Sequence, residues 1–303
     1  MNTTMTLTVG AVQYHWPRET LFRFYADLAD SPAHDVVLGE VVCSRRRDLK
    51  PADWLALAAE LTQAGKRVWL GTLALIETEA ELRGVRQAVE RGDVLIEAND
   101  AAAVRLAWHA GRPWSIGTHI NVYSSEALAE YREMGATRWL APVELDLDAV
   151  QAVLAPHLGH IEAEVIAFGR LPLALSARCF TARHHGLQKD QCGFVCGNDP
   201  DGLDVKTQEG QVFLAINGIQ TQSGTVQCLL GHLPAIARAG VSALRLSPCA
   251  WDFLEVLRLH DAVLGGRLSP GDAEVVLRGL KLPGPLSDGF AHARMPGMAW
   301  EAA

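Results

Sequence analysis

A short unit recurs along this chain: a segment of helical period, then a glycine, then a run of apolar and β-branched residues. Gly65, Gly111, Gly135 and Gly240 each stand just after a helical segment and just before such a run. Helices commonly end in a left-handed residue, and glycine adopts that conformation without a Cβ penalty. Helical spacing is read in Leu21, Phe24, Tyr25 and Leu28, in Trp54, Leu57 and Leu61, and in Leu147, Val150 and Leu154. It returns over 252–264 in Phe253, Val256, Leu257 and Leu264. Strands are predicted at 6–12, 35–42, 67–75, 93–98, 114–121, 138–142, 161–168 and 241–247. Eight strands with helices between them predict a single α/β domain over 1–303, a (β/α)8 TIM-barrel-like fold. An open doubly wound sheet uses the same alternation, and periodicity alone does not separate the two.

One stretch breaks the rhythm. Residues 170–226 hold three cysteines, the turn signals GNDPDG and GIQTQSG, and one predicted strand at 212–219, VFLAINGI. They read as an insertion between the seventh and eighth strands. The Gly- and Pro-rich segment 282–303 reads as a C-terminal loop segment covering one end, or as a frayed end. The N-terminal MNTTMTLTVGAVQ alternates apolar residues with threonine and lacks a basic region, so it reads as a first strand and not a signal peptide. No apolar run approaches the roughly 18 residues of a membrane span. The expected location is the cytoplasm, where cysteines stay reduced unless a metal or redox chemistry claims them.

The insertion carries CFTARHHGLQKDQCGFVC, which places Cys179, Cys192 and Cys196 at C-x12-C-x3-C spacing. Cys43 stands far upstream, where the second strand runs into LGEVVCSRRR. Residues that follow the second and seventh strands of a barrel emerge at its C-terminal face, where barrel active sites form. Four thiolates there point to a structural zinc or an iron–sulfur cluster. Zinc knuckles favour tight C-x2-C pairs, whereas long irregular spacing from several loops suits a cubane. Arg45, Arg46 and Arg47 flank Cys43, and Arg178, Arg183 and Lys189 surround the others. Cations of this kind lower thiol pKa values and offset thiolate charge. Cys249, in RLSPCAW, also follows a strand and competes with Cys43 for the fourth place. Cys228 reads as a core thiol in a helical stretch.

Other polar residues sit where a barrel mouth would be: Glu40, Asn99, His119, Asn121 and Glu144. Each alone is as readily a cap or turn residue as a site residue. His184 and His185 lie between the cysteines, as ligands or as a solvated pair. There is no G-x-S-x-G, H-E-x-x-H, P-loop or dinucleotide fingerprint. The chain has 27 basic and 35 acidic residues, a net charge of −8, which argues against a general phosphate-backbone binder.

Taken together, LGEVVCSRR, HINVYSSEAL, APVELDLDAV, EVIAFGRLPLALSARCF, the C-x12-C-x3-C cluster and the closing DGFAHARMPGM span nearly the whole chain. In these pieces it resembles the collagenase-like (U-32) peptidase family, most closely the branch that serves anaerobic ubiquinone biosynthesis. The resemblance implies a barrel-like fold and an oxygen-sensitive [4Fe–4S] cluster held by Cys43, Cys179, Cys192 and Cys196, which demotes Cys249. It further implies a heterodimer with a sister protein, a supporting lipid carrier, and hydroxylation of ubiquinone precursors without dioxygen, with prephenate as oxygen donor. Related branches hydroxylate tRNA or ribosomal RNA, and some members are described as peptidases. No nucleophile–base pair is recognisable in this sequence, and nucleic acid is not an expected partner. The alternatives are an iron–sulfur RNA-base hydroxylase and a non-catalytic iron–sulfur partner subunit.

Overall fold

The computed structural model describes residues 5–292. All eight predicted strands are present: β1 (Thr6–Val9), β2 (Asp35–Leu38), β3 (Arg67–Gly71), β4 (Leu95–Ala98), β5 (Trp114–Ile116), β6 (Ala136–Leu140) and β7 (Glu162–Gly169), with Ala243–Leu246 as the last. Neighbours pair in parallel from β1 through β7. The last strand then pairs with both β7 (Leu244 opposite Val165) and β1 (Leu244 opposite Leu7). That double pairing closes the sheet, so the fold is the barrel and not the open sheet.

Helices alternate with the strands: α1 (Arg18–Ala29), α2 (Pro51–Gln63), α3 (Glu79–Arg91), α4 (Ala101–His109), α5 (Ser125–Glu133) and α6 (Leu147–Leu154). Their starts are set locally. Thr78 and Glu81 form a reciprocal capping box at α3, and the Asp100 and Asp146 carboxylates accept the backbone N–H of Ala102 and Ala149, each at 2.7 Å. All four junction glycines are left-handed, Gly135 at φ 95° and Gly240 at φ 85°.

Most strands end earlier than their apolar runs. Val41, Val42, Ala11 and Ile120 continue the pattern but belong to loops, and all four are buried. Apolar residues run past the strand ends because the C-terminal mouth is roofed by the insertion. The insertion itself is more ordered than its one predicted strand suggested. It contributes β8 (Pro172–Leu175), α7 (Phe180–His184), β9 (Leu203–Lys206), β10 (Val212–Asn217) and β11 (Gln220–Ser223), in a four-stranded sheet of order β8-β11-β10-β9. The sequence QTQS hides β11 because its buried side chains are polar: Gln220 donates to the Gln13 carbonyl at 2.6 Å and Gln222 to the Gln13 side chain at 2.8 Å.

Beyond it, β12 (Val226–Cys228) runs antiparallel to β7, so Cys228 ends a strand and not a helix. After β12 come α8 (Leu233–Arg238), β13 (Ala243–Leu246), α9 (Phe253–Leu264) and α10 (Pro270–Gly279). The described part of the C-terminal segment forms β14 (Leu286–Ser287), parallel to β12, and residues 293–303 lie outside the described residues.

The lumen is ionic. Arg138 on β6 donates to Thr8 on β1 at 2.7 Å and to Glu164 on β7 at 3.1 Å, and meets Asp35 on β2 at 2.9 Å. Arg245 on β13 meets Glu97 on β4 and Glu164, both at 2.6 Å. The Arg138 contacts with Thr8 and Asp35 and the Arg245 contact with Glu97 join strands that are not neighbours, so they cross the barrel interior. Burial alone would raise the Glu164 carboxyl, but Arg138 and Arg245 hold it down to about 2.

Candidate metal centre

The Cys43 loop is built by its own sequence. The Glu40 carboxylate, two residues past β2, accepts the backbone N–H groups of Val42 and Cys43, both at 2.9 Å. The turn drives Val41, Val42 and Cys43 into an apolar cluster with Ala11, Val37, Trp69 and Ile219. On the insertion side, Cys179 caps α7, its Sγ accepting the Ala182 N–H at 3.4 Å. Gly193 and Phe194 follow Cys192 in left-handed conformations, φ 57° and 56°. The second is costly for a side chain with a Cβ. This reversal returns Cys196 to the side where Cys192 lies.

Cys43, Cys179, Cys192 and Cys196 line one recess, together with Arg45, Arg46, Lys189, Thr181 and Phe194. All four are free thiols, and all but Cys179 are buried. A tetrahedral zinc with Zn–S bonds of about 2.3 Å spaces its sulfurs about 3.8 Å apart. Among the described residues, no three of these sulfurs lie within 4.8 Å of one another. A single zinc would require them to draw closer together.

Arg46 is the clamp of the recess. It is 5% exposed and donates to the Gln13 carbonyl at 3.0 Å and to the Asn217 Oδ1 at 2.6 Å. Asn217 in turn donates to the carbonyls of Cys196 and Asp199, both at 2.9 Å. Arg45 donates to the Asp190 carbonyl at 2.7 Å and Lys189 to the Ala177 carbonyl at 2.8 Å. Of the six cations expected around the thiols these three line the recess, and Arg47, Arg178 and Arg183 are exposed. The expected lowering of thiol pKa is not found at Cys43 and Cys196. Burial raises both, and the opposing pull of Arg46 is the smaller effect.

Cys249 lies outside this recess. Its thiol donates to the Trp251 carbonyl at 3.3 Å and is pushed up by burial. Cys228 packs against the main core, and burial raises its thiol to about 11. His184 and His185 are exposed and pack edge-on against each other. Glu144 is exposed and accepts from the Tyr123 hydroxyl at 3.1 Å, and Asn121 is exposed.

A second recess occupies the barrel mouth, lined by Glu97, Asn99, His119, Arg245, Gln13 and Ser247 among others. Desolvation pushes the His119 imidazole down to about 4, so it is neutral at pH 7. Ala11 and Val41 line the mouth and also belong to the cluster that holds Cys43. One apolar layer therefore lies between the two recesses.

The model of peptidase family U32 matches residues 19–257, most of the chain. The chain belongs to peptidase family U32. A curated collagenase of Porphyromonas gingivalis is 24% identical over 190 residues, 58% of this chain and 45% of that protein. The match thus spans less than half of that relative's length. A solved U32 peptidase has 9% identity, with 82% of this chain and 94% of that chain covered and a TM-score of 0.45. Phospho-2-dehydro-3-deoxyheptonate aldolase of Thermotoga maritima has 13% identity, coverage of 92% and 72%, and a TM-score of 0.44.

The family's peptidase name directs attention to one contact in this U32 chain. Ser125 Oγ lies 3.3 Å from His157 Nε2. The same nitrogen lies 2.9 Å from the Ser125 carbonyl. A ring nitrogen that donates to a carbonyl has no lone pair left to take a hydroxyl proton. The pair braces α5 against the chain just past α6.

The lumen pairs Glu97–Arg245–Glu164 and Arg138–Asp35, and the Arg46–Asn217 clamp, escaped the sequence reading. A signal was present for the lumen. Single charges inside otherwise apolar strands, as in VSALRLS and ATRWL, are rarely buried without a partner.

Proposed function

We propose that this U32 chain is the iron–sulfur subunit of a dioxygen-independent hydroxylase acting on ubiquinone precursors, a UbiV-like protein paired with a UbiU-like sister subunit. The observation that carries the iron–sulfur part is the recess that gathers Cys43 from the loop after β2 with three cysteines of the insertion. The pathway, prephenate as oxygen donor and a UbiT-like lipid carrier follow from the sequence resemblance.

A [4Fe–4S] cluster in this recess would supply one-electron transfer. The chain's own residues do the rest. Cys43, Cys179, Cys192 and Cys196 are the ligands. Arg46 offsets thiolate charge from a position fixed by Gln13 and Asn217. Val41, Val42 and Ile219 shield the Cys43 side from water. The mouth recess offers a small polar molecule the Asn99 amide and a neutral His119 ring. The net charge of −8 weighs against the RNA-base reading.

Anaerobic purification with iron and acid-labile sulfide analysis tests the first half. The expected content is about four iron and four sulfide per chain. Colourless protein holding one zinc contradicts it. Co-expression with the candidate sister subunit, scored by co-purification and by ubiquinone made without oxygen, tests the second half.

A further inference from the structure

The parallel pairing of β12 with β14 sets Val226 opposite Leu286 and Gln227 opposite Ser287. The two chains leave this ladder side by side. One passes through a single 3-10 turn, Leu230–His232. The other makes the tight turn Asp288-Gly289-Phe290-Ala291-His292, in which the Ala291 N–H bonds back to the Asp288 carbonyl at 3.1 Å. Gly289 is required there. Its φ is 57°, and a Cβ would fall 2.0 Å from the Gln227 side-chain oxygen. The Leu147 N–H holds the Ala291 carbonyl at 3.1 Å and fixes the turn to the start of α6.

This construction places three donors together: one atom each from His232, Asp288 and His292, all within 4.8 Å of one another. His292 Nε2 lies 3.1 Å from His232 Nδ1, and the two rings meet edge-on at 75°. Asp288 is 8% exposed, and its backbone carbonyl, not its carboxylate, takes the Ala291 N–H. Two nitrogens 3.1 Å apart, each about 2.05 Å from a shared ion, subtend an angle of roughly 100° at it. That angle falls between the tetrahedral and octahedral values.

We propose that His232, Asp288 and His292 form a second metal site, separate from the cysteine recess, that takes one divalent transition-metal ion. Two imidazoles and one carboxylate are borderline donors, which suit zinc, iron(II) or cobalt(II) and not calcium or magnesium. Three protein ligands leave a position for water or a small anion. Bound metal clasps the C-terminal turn to the segment after β12 and so adds to stability by linkage.

Cobalt(II) titration of the full-length protein under anaerobic conditions tests this. Binding at histidine and carboxylate gives weak visible bands alone, whereas binding at the cysteines adds intense thiolate-to-cobalt charge-transfer bands. The expected result is one equivalent with the histidine-type spectrum, with affinity at least tenfold weaker in H292A and D288N. H292Q keeps a hydrogen-bonding side chain beside His232 but is a poor ligand, and it is expected to unfold like wild type without metal and to lose the cobalt bands. Zinc should raise the unfolding temperature of wild type by more than that of H292Q, which keeps only the cysteine recess. A thiolate-only spectrum in wild type overturns the proposal, as does an H292Q titration that overlays wild type.

Discussion

Replacing Arg46 by methionine keeps the length and apolar stem of the side chain and deletes its charge and donors. The Gln13 carbonyl and the Asn217 carbonyl and Oδ1 lose donors at 3.0, 3.2 and 2.6 Å. Glu40 loses a cation 3.8 Å away. The Gln13 carbonyl keeps Gln220 as a donor at 2.6 Å, whereas a buried acceptor left without a donor, as at Asn217 Oδ1, costs about 1–3 kcal/mol, and breaking a buried charge contact from one side costs about 3–5 kcal/mol. The contributions overlap, because the lost hydrogen bonds and the lost charge belong to one side chain, so a net loss of about 3–5 kcal/mol is expected. R46K keeps the charge but cannot reach Gln13 and Asn217 as a planar fork, and should lose less than half as much. Urea unfolding of metal-free protein reads both variants. The same two variants, purified anaerobically, should rank wild type, R46K, R46M in iron content. An R46M midpoint equal to that of wild type would refute the clamp, because it would mean these acceptors find other donors at no cost.

Two further outcomes follow from the barrel. The Glu164 carboxyl is held down to about 2 in the folded protein, against an ordinary value of 4.5. Its contribution is therefore complete above about pH 4.5 and is lost as pH falls toward 2, by up to about 3 kcal/mol. Guanidinium unfolding between pH 6 and pH 3 should show this slope in wild type and a shallower one in E164Q, and parallel profiles would contradict it. Gly169, at φ 120° where β7 meets β13, would put a Cβ 2.5 Å from that of Ser247, whereas Gly65, at φ 84°, has open space. G169A should cost about 3 kcal/mol and G65A about 1 kcal/mol, and equal losses would show that conformational strain alone matters.

The barrel was legible because its unit repeats. A glycine that must be left-handed at Gly65, Gly111, Gly135 and Gly240 and an apolar strand after each are strong local signals. Closure was not legible, because it depends on β13 pairing with both β1 and β7, a long-range fact with no local mark. The insertion sheet was mostly hidden. LDVK and QTQS lack the apolar alternation that marks a strand, and QTQS is buried through hydrogen bonds to Gln13 instead. At the site, C-x12-C-x3-C and Cys43 stood out as residue types, and the barrel rule brought them to one face. Composition could not rank the six nearby cations. Arg46 differs from Arg45 and Arg47 only in what the Asn217 end of β10 offers it.

The central claim is that Cys43, and not Cys249, completes a cluster site with Cys179, Cys192 and Cys196. Iron and sulfide content of anaerobically purified wild type, C43A and C249A tests it most directly. Cys43 lines the shared recess, while the Cys249 thiol is occupied by the Trp251 carbonyl. Wild type and C249A should therefore carry the same iron and sulfide, and C43A should carry little of either. Full iron in C43A, or its loss in C249A, would contradict the account.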